Sequence, residues 1–143
     1  MKYVSATDIG LVREENQDMV KVEEFYGNLL AVVCDGMGGE NDGKKASNTA
    51  VGEFLNQYLL SENDGKPDDF FEKAIVSANS AICSFTDKNG NMVCAGTTVV
   101  CILIADGLLR WASVGDSDFI YCVTTSWFRQ QQTITMRFRC PNS

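Results

Sequence analysis

Alternating and continuous apolar patterns predict strands in the first third of the chain. Residues 18–25, "DMVKVEEF", alternate apolar and polar side chains, as a half-buried strand does. Residues 29–35, "LLAVVCD", are apolar up to a final acid, which is typical of a buried strand. The turn residues "YGN" at 26–28 join the two, which predicts a hairpin. Residues 2–8, "KYVSATD", are expected to form an earlier strand.

Two later segments repeat apolar residues at three- and four-residue steps, which predicts two amphipathic helices. The first covers residues 44–60 and the second covers residues 68–86, with a polar break at 61–69 between them. Asp68 or Asp69 is expected to cap the second helix, because acids near the first turn suit the helix dipole.

The stretch at 96–116, "GTTVVCILIADGLLRWASVGD", predicts two strands joined by a tight turn at Ala105-Asp106-Gly107. Its first half is β-branched and apolar on both faces, which indicates a central strand covered on both sides. Residues 118–123 predict one more strand. The order of strands, two helices and strands favours an α+β domain with helices packed on sheets.

Composition narrows the class of protein. The 143 residues carry a net charge of −7, which argues against partners such as nucleic acid or an anionic membrane surface. There is no apolar run of about 18 residues, and charges come too early for a signal peptide, so a cytoplasmic protein with no membrane partner is expected.

Six cysteines form no CxxC pair, which favours buried thiols over zinc ligands. The absence of histidine excludes Ser-His-Asp and Cys-His catalysis.

The end of the chain differs in composition from the rest. From Phe119 to Ser143 there is no acidic residue. A change this sharp indicates a divergent terminus, a premature end or a frame change, although an ordinary basic edge strand is an alternative.

The glycine-rich loop "GMGGENDG" after Asp35 admits two kinds of chemistry. A phosphate cradle is the first, because residues 38–44 match GxxxxGK after an apolar strand. A Walker loop then needs Ser or Thr, however, and the chain has Lys45. The two acids in the loop would also repel a phosphate. The spaced ligands of an EF-hand calcium loop are absent as well.

A carboxylate site for a metal is the second kind. Asp35 stands at the end of a rigid strand, and carboxylate and carbonyl oxygens suit Mg²⁺ and Mn²⁺. The hairpin should bring Asp18 to the same end of the sheet; the alternative for Asp18 is a solvated acid at a strand start. Arg13 could clamp a phosphoryl group bidentately, or form a surface salt bridge of little energetic value.

Four ordered motifs now make a family resemblance specific. The segments "TDIGLVREENQD" (7–18), "VVCDGMGG" (32–39), "AGTTVV" (95–100) and "ASVGDS" (112–117) resemble those of the metal-dependent PPM, or type 2C, serine/threonine protein phosphatases. The resemblance implies a four-layer α-β-β-α sandwich of two antiparallel sheets flanked by helices. Residues 1–122 would be the N-terminal part of that domain, about half of it, and residues 123–143 a divergent or out-of-family tail.

The resemblance also implies an activity and a set of site residues. The family hydrolyses phosphoserine and phosphothreonine on proteins with water activated by two or more Mn²⁺ or Mg²⁺ ions. By motif, Arg13 resembles the phosphate-binding arginine, Asp18 a metal-binding acid, and Asp35 the acid that bridges both metals. Gly36 would give a backbone carbonyl to a metal, and Asp116 resembles an acid associated with a third metal.

Departures from the family pattern leave a second interpretation open. Family members usually have Arg after "GDS", where this chain has Asp118, and the second half of the family domain supplies two further metal-binding aspartates. A catalytically inactive, phosphatase-like binding or regulatory module is therefore the alternative to an enzyme. Strand edges left uncovered would also allow an oligomer.

Overall fold

A computed structural model describes residues 2–39, 42–64, 69–123 and 126–130. The described elements are seven strands and two helices. In chain order they are β1 (Asp18–Phe25), β2 (Asn28–Met37), α1 (Asp42–Asp64), α2 (Phe70–Cys83), β3 (Gly96–Thr97), β4 (Val99–Ala105), β5 (Leu108–Val114), β6 (Phe119–Val123) and β7 (Ser126–Gln130).

The main sheet is antiparallel and has the order β1-β2-β4-β5, with β3 pairing β2 beyond the start of β4. Strands β6 and β7 form a separate hairpin. Both tight turns of the main sheet have two residues of positive φ, Tyr26-Gly27 and Asp106-Gly107. Turns of this kind match the twist of the strands they join. The predicted hairpins and the α+β class are confirmed.

The core lies between the two helices and one face of the sheet. Alternate residues of β2 and β4, among them Leu30, Val32 and Leu103, belong to one buried cluster with side chains of both helices. Phe54 and Tyr58 of α1 contact the ring of Phe70, which opens α2, at centroid distances of 6.5 and 5.5 Å. Burial of these large apolar side chains is the main source of stability for this layer.

The opposite face of the sheet is less covered. On β4, Val100 is buried, but Ile102 and Ile104 are only half-buried. Val33 on β2 is 47% exposed. The prediction that β4 is central is confirmed, and its double cover is only partial within the described residues. The site considered below lies on this less covered face.

The N-terminal strand prediction is wrong. Residues 2–8 form no strand and are exposed. A strand is stable only when a neighbouring strand pairs with its backbone N–H and C=O groups, and no described strand pairs with this segment.

Helix boundaries also differ from the predictions. Helix α1 runs to Asp64, so it includes the start of the predicted polar break; the Ser61 hydroxyl is buried there and donates to the Tyr58 carbonyl oxygen at 2.8 Å. Helix α2 ends at Cys83. Asp69 occupies the capping position but its side chain makes no capping hydrogen bond, and Asp68 lies outside the described residues.

Two further expectations concern parts of the chain that are only partly described. The predicted strand at 118–123 is confirmed as β6. Most of the predicted tail at 123–143 lies outside the described residues. Neither described helix is long and apolar enough to cross a membrane.

Candidate functional site

Asp18 and Asp35 face each other directly across β1 and β2. The register of this pair of strands sets Asp18 opposite Asp35, and the turn at 26–27 fixes that register. Side chains of direct cross-strand partners lie on the same face of a sheet. The hairpin therefore brings the two predicted carboxylates together at one end of the sheet, on the face away from the helices.

A cleft of about 240 Å³ opens beside this pair. Arg13 reaches it from the loop before β1, so the predicted phosphate-binding arginine and both carboxylates share one space. The cleft is lined by Asp8, Ile9, Gly10, Arg13, Asn16, Gln17, Asp18 and Asp35.

Several charges act on the carboxyl of Asp35. Its pKa is raised by burial, then by the charge of Asp18 and a hydrogen bond to it, and also by the charge of Asp116. The Arg13 guanidinium acts in the opposite direction and lowers the same pKa. Burial is the largest of these causes, and the two aspartates that add to it place further negative charge near Asp35, where a bound cation would be favoured.

The structure places the other two predicted metal-site residues differently: Gly36 adjoins the pair, and Asp116 lies outside the cleft. Gly36 follows Asp35, and its N–H donates to the Gln17 carbonyl oxygen at 3.2 Å. A Cβ on Gly36 would overlap the Gly43 carbonyl and lie 2.6 Å from the Gln17 carbonyl oxygen, so only glycine lets these segments meet. Asp116 is exposed in the loop after β5 and does not line the cleft, although its charge reaches Asp35.

The donor set suits a hard cation but is small. Two carboxylates and a neighbouring main-chain carbonyl are the oxygen ligands that Mg²⁺ and Mn²⁺ prefer. Within the described residues, no three His, Cys, Asp or Glu side chains are grouped closely enough to hold a metal together.

Supporting residues that the sequence did not reveal hold the loop before β1 in place. The buried Ser47 hydroxyl on α1 donates to the Gln17 carbonyl oxygen at 2.7 Å, and Lys44 pairs with Glu15 at 2.9 Å. The Asn16 side chain accepts from the Asp18 N–H at 3.0 Å. The Ser47 and Lys44 contacts have no sequence signal, because both depend on α1 packing against a distant loop. The Asn16–Asp18 bond is a local contact, of the kind that asparagine commonly makes with the backbone two residues on.

Asp8 is a further acid in the cleft that the sequence did not predict. Its carboxylate accepts a hydrogen bond from the Gly10 N–H at 2.7 Å, and Gly10 has a φ of +76°. The sequence places Asp8 at the end of an expected strand, and a single acid at such a position does not indicate a site.

Solved structures define the class of this fold. The serine/threonine phosphatase PstP/Ppp of Mycobacterium tuberculosis superposes with a TM-score of 0.74 at 25% identity, over 96% of this chain and 56% of that one. A PstP catalytic domain in complex with two manganese ions gives a TM-score of 0.75 at 25% identity, over 96% and 57%. The architecture is therefore that of part of a PPM-type phosphatase domain.

Sequence comparison then gives the family. The model named Protein phosphatase 2C matches residues 12–132, and the chain belongs to this family. It is 31% identical over 120 residues to the Mycobacterium tuberculosis phosphatase PstP, over 82% of this chain and 22% of that protein. It is also 31% identical over 117 residues to the Listeria monocytogenes phosphatase stp, over 78% and 46%. The chain thus spans less than half the length of these two relatives.

Proposed function

We propose that the protein hydrolyses phosphoserine and phosphothreonine on proteins in a reaction that depends on Mn²⁺ or Mg²⁺. The observation that carries the proposal is the cross-strand pair of Asp18 and Asp35, which shares one cleft with Arg13. Family membership and the manganese-bound PstP domain with the same fold support the choice of reaction and metal.

Three oxygen donors of this chain would hold the cation. These are the carboxylates of Asp18 and Asp35 and the main-chain carbonyl of Gly36. Asp116, whose charge acts on Asp35, would serve a further ion, as its motif implies. Burial and then the charge of Asp18 raise the pKa of Asp35, and a divalent cation would offset both by stabilising the charged carboxylate. When bound, it would supply Lewis-acid polarisation of the phosphoryl group and activation of water.

Arg13 is proposed to bind and orient the substrate. Its guanidinium can donate two parallel hydrogen bonds to phosphoryl oxygens, and its charge stabilises the negative charge that those oxygens carry in the transition state. Because the chain has no histidine, the departing serine or threonine oxygen would take its proton from water or a carboxylic acid.

A binding or regulatory module without turnover is the second candidate. The observation that favours it is that the described residues hold no group of three metal-ligating side chains. In that case Arg13 and the cleft would bind a phosphorylated protein and leave its phosphate in place.

Phosphate release from a phosphothreonine peptide by the 143-residue chain tests both candidates. We expect turnover that requires Mn²⁺, stops with EDTA, and falls at least about 100-fold in Asp35→Asn, because loss of a metal ligand removes the cation. Asp106→Asn is the matched control, since it neutralises an exposed aspartate in the turn at the other end of the sheet.

Equal rates in the parent chain and Asp35→Asn would contradict the proposed hydrolysis. Peptide binding measured by fluorescence anisotropy then decides the second candidate. If Arg13→Ala weakens peptide binding, the result would support the binding module. If Arg13→Ala leaves peptide binding unchanged, the result would exclude it.

A further inference from the structure

Thr98 lies directly opposite Asp35 in the sheet. Strands β3 and β4 keep one register against β2, with Gly36 opposite Thr97 on one side and Val33 opposite Val100 on the other. Continuing that register places Thr98, the single residue between β3 and β4, across from Asp35. Thr98 is 3% exposed.

The side chain of Thr98 takes part in holding Asp35. The Asp35 N–H donates to the Thr98 hydroxyl oxygen at 3.1 Å, and the Thr98 N–H donates to the Asp35 carbonyl oxygen at 2.9 Å. The neighbouring Thr97 hydroxyl also donates to the Asp35 carbonyl oxygen, at 3.0 Å. Both main-chain polar groups of Asp35 are therefore bound by this threonine pair.

The same side chain contacts the loop that carries Asp116. The Thr98 and Ser117 hydroxyl oxygens are 2.8 Å apart and share a hydrogen bond. Gly115 has a φ of +104°, and a Cβ there would lie 2.8 Å from the Thr98 methyl carbon. The hydroxyl and the methyl of Thr98 thus both touch residues that flank Asp116.

A hydroxyl group can accept one hydrogen bond and donate another at the same time. At Thr98 it accepts from Asp35 and shares the second bond with Ser117. Through one atom, the two contacts join the strand end at Asp35 to a loop that lies about 80 residues later in the sequence. Groups that hold a metal ligand in place without touching the metal typically lower metal affinity by 10- to 100-fold when they are removed.

We infer that Thr98 is a positioning residue that couples the backbone of Asp35 to the Asp116 loop and so fixes the spacing of the two carboxylates. This inference rests on the proposed function, because that proposal gives Asp35 to the cation of the cleft and Asp116 to a further ion beside it. Thr98 does not contact the cation or the phosphoryl group; it acts through Asp35 and Ser117.

Thr98→Val, which keeps the shape and removes the hydroxyl, is the variant that tests the inference, and Thr98→Ser is its rescue. Ser61→Ala is the matched control, since it removes another buried hydroxyl, which is bonded within α1. Ser117→Ala removes the other hydroxyl of the Thr98–Ser117 hydrogen bond. Because Ser117 is only half-buried, this variant replaces Thr98→Val in the test if Thr98→Val does not fold. Amide hydrogen exchange, measured by NMR on the metal-free protein, reports whether the Asp35 backbone is held by Thr98. Titration with Mn²⁺ alone gives the dissociation constant of the ion.

In Thr98→Val we expect faster exchange at the Asp35 amide and a Mn²⁺ dissociation constant raised about 10-fold. Thr98→Ser should restore both, Ser61→Ala should change neither, and Ser117→Ala should weaken Mn²⁺ binding while the Asp35 amide stays protected. Unchanged exchange at Asp35 in Thr98→Val would overturn the inference. Faster exchange with unchanged Mn²⁺ affinity would also overturn it, since the hydroxyl would then serve only local structure.

Failure of the proposed function gives a different result. If the parent chain binds no Mn²⁺, the proposed cation site is wrong, whatever the exchange data show. The coupling of Asp35 to the loop is then decided by exchange alone: parallel changes at the Asp35 and Ser117 amides in Thr98→Val support it, and a change at neither overturns it.

Discussion

Replacing Asp35 with asparagine removes one of two like charges that face each other across β1 and β2. Like charges directly opposite each other in an antiparallel pair are destabilising, and cross-strand pairs contribute roughly 0.2–1 kcal/mol. We therefore expect Asp35→Asn to stabilise the metal-free protein by about 0.2–1 kcal/mol at neutral pH. For a chain of this length that corresponds to a rise in Tm of up to about 4 °C.

The pH dependence of this gain has a defined sign. Because the pKa of Asp35 is raised in the folded protein, the folded state binds this proton more tightly than the unfolded state. The free energy of unfolding falls as the pH rises from the ordinary carboxyl pKa of about 3.9 through the raised value. The gain in Asp35→Asn should be complete above that interval and should vanish as the pH is lowered below it.

Thermal unfolding in EDTA, repeated across pH, measures the effect. Asp106→Asn corrects for the general benefit of removing one charge from an acidic protein, because Asp106 occupies an exposed turn. In saturating Mn²⁺ the parent chain should become more stable than Asp35→Asn, because only the parent chain keeps the full ion site. A ligand at 100 times its dissociation constant stabilises the folded state by about 2.7 kcal/mol. Equal shifts for the two variants in EDTA, or a gain that persists at acidic pH, would refute the reasoning.

Three other predictions concern the core, the glycine contact and the thiols. Phe70→Ala should lower the free energy of unfolding by about 3–5 kcal/mol in urea titrations, because its fully buried ring leaves a cavity; a loss below about 1 kcal/mol would contradict the described core. Gly36→Ala should weaken Mn²⁺ binding and lower stability, because its Cβ would overlap backbone, whereas Gly52→Ala, which has open space, should stabilise α1 by about 0.5–1 kcal/mol; similar effects of the two changes would count against this packing. Burial raises the pKa of Cys34 to about 12, so iodoacetamide at pH 8 should label the exposed Cys94 before Cys34; peptide mass mapping that finds equal labelling of these two thiols in the native protein would disprove this.

The carboxylate pair could be predicted from sequence because its geometry is local. An alternating strand, a two-residue turn and an apolar strand fix one register, and that register sets Asp18 opposite Asp35. The two helices could be predicted for a similar reason, since their apolar periodicity reflects a single buried face.

Features that depend on distant segments could not be predicted in this way. Residues 2–8 have the pattern of a strand but no partner among the described strands. Thr98 and Ser47 matter through hydrogen bonds to residues 63 and 30 positions away. A single threonine or serine in an apolar context carries no mark of such a bond.

Paramagnetic broadening by Mn²⁺ tests the central claim most directly, because it locates the cation without requiring turnover. In NMR spectra of the 143-residue chain, substoichiometric Mn²⁺ should broaden the amide signals around Asp18 and Asp35 first, and Asp35→Asn should abolish that broadening. Broadening centred on another acidic segment, or an identical pattern in Asp35→Asn, would contradict a metal site built on this pair of strands.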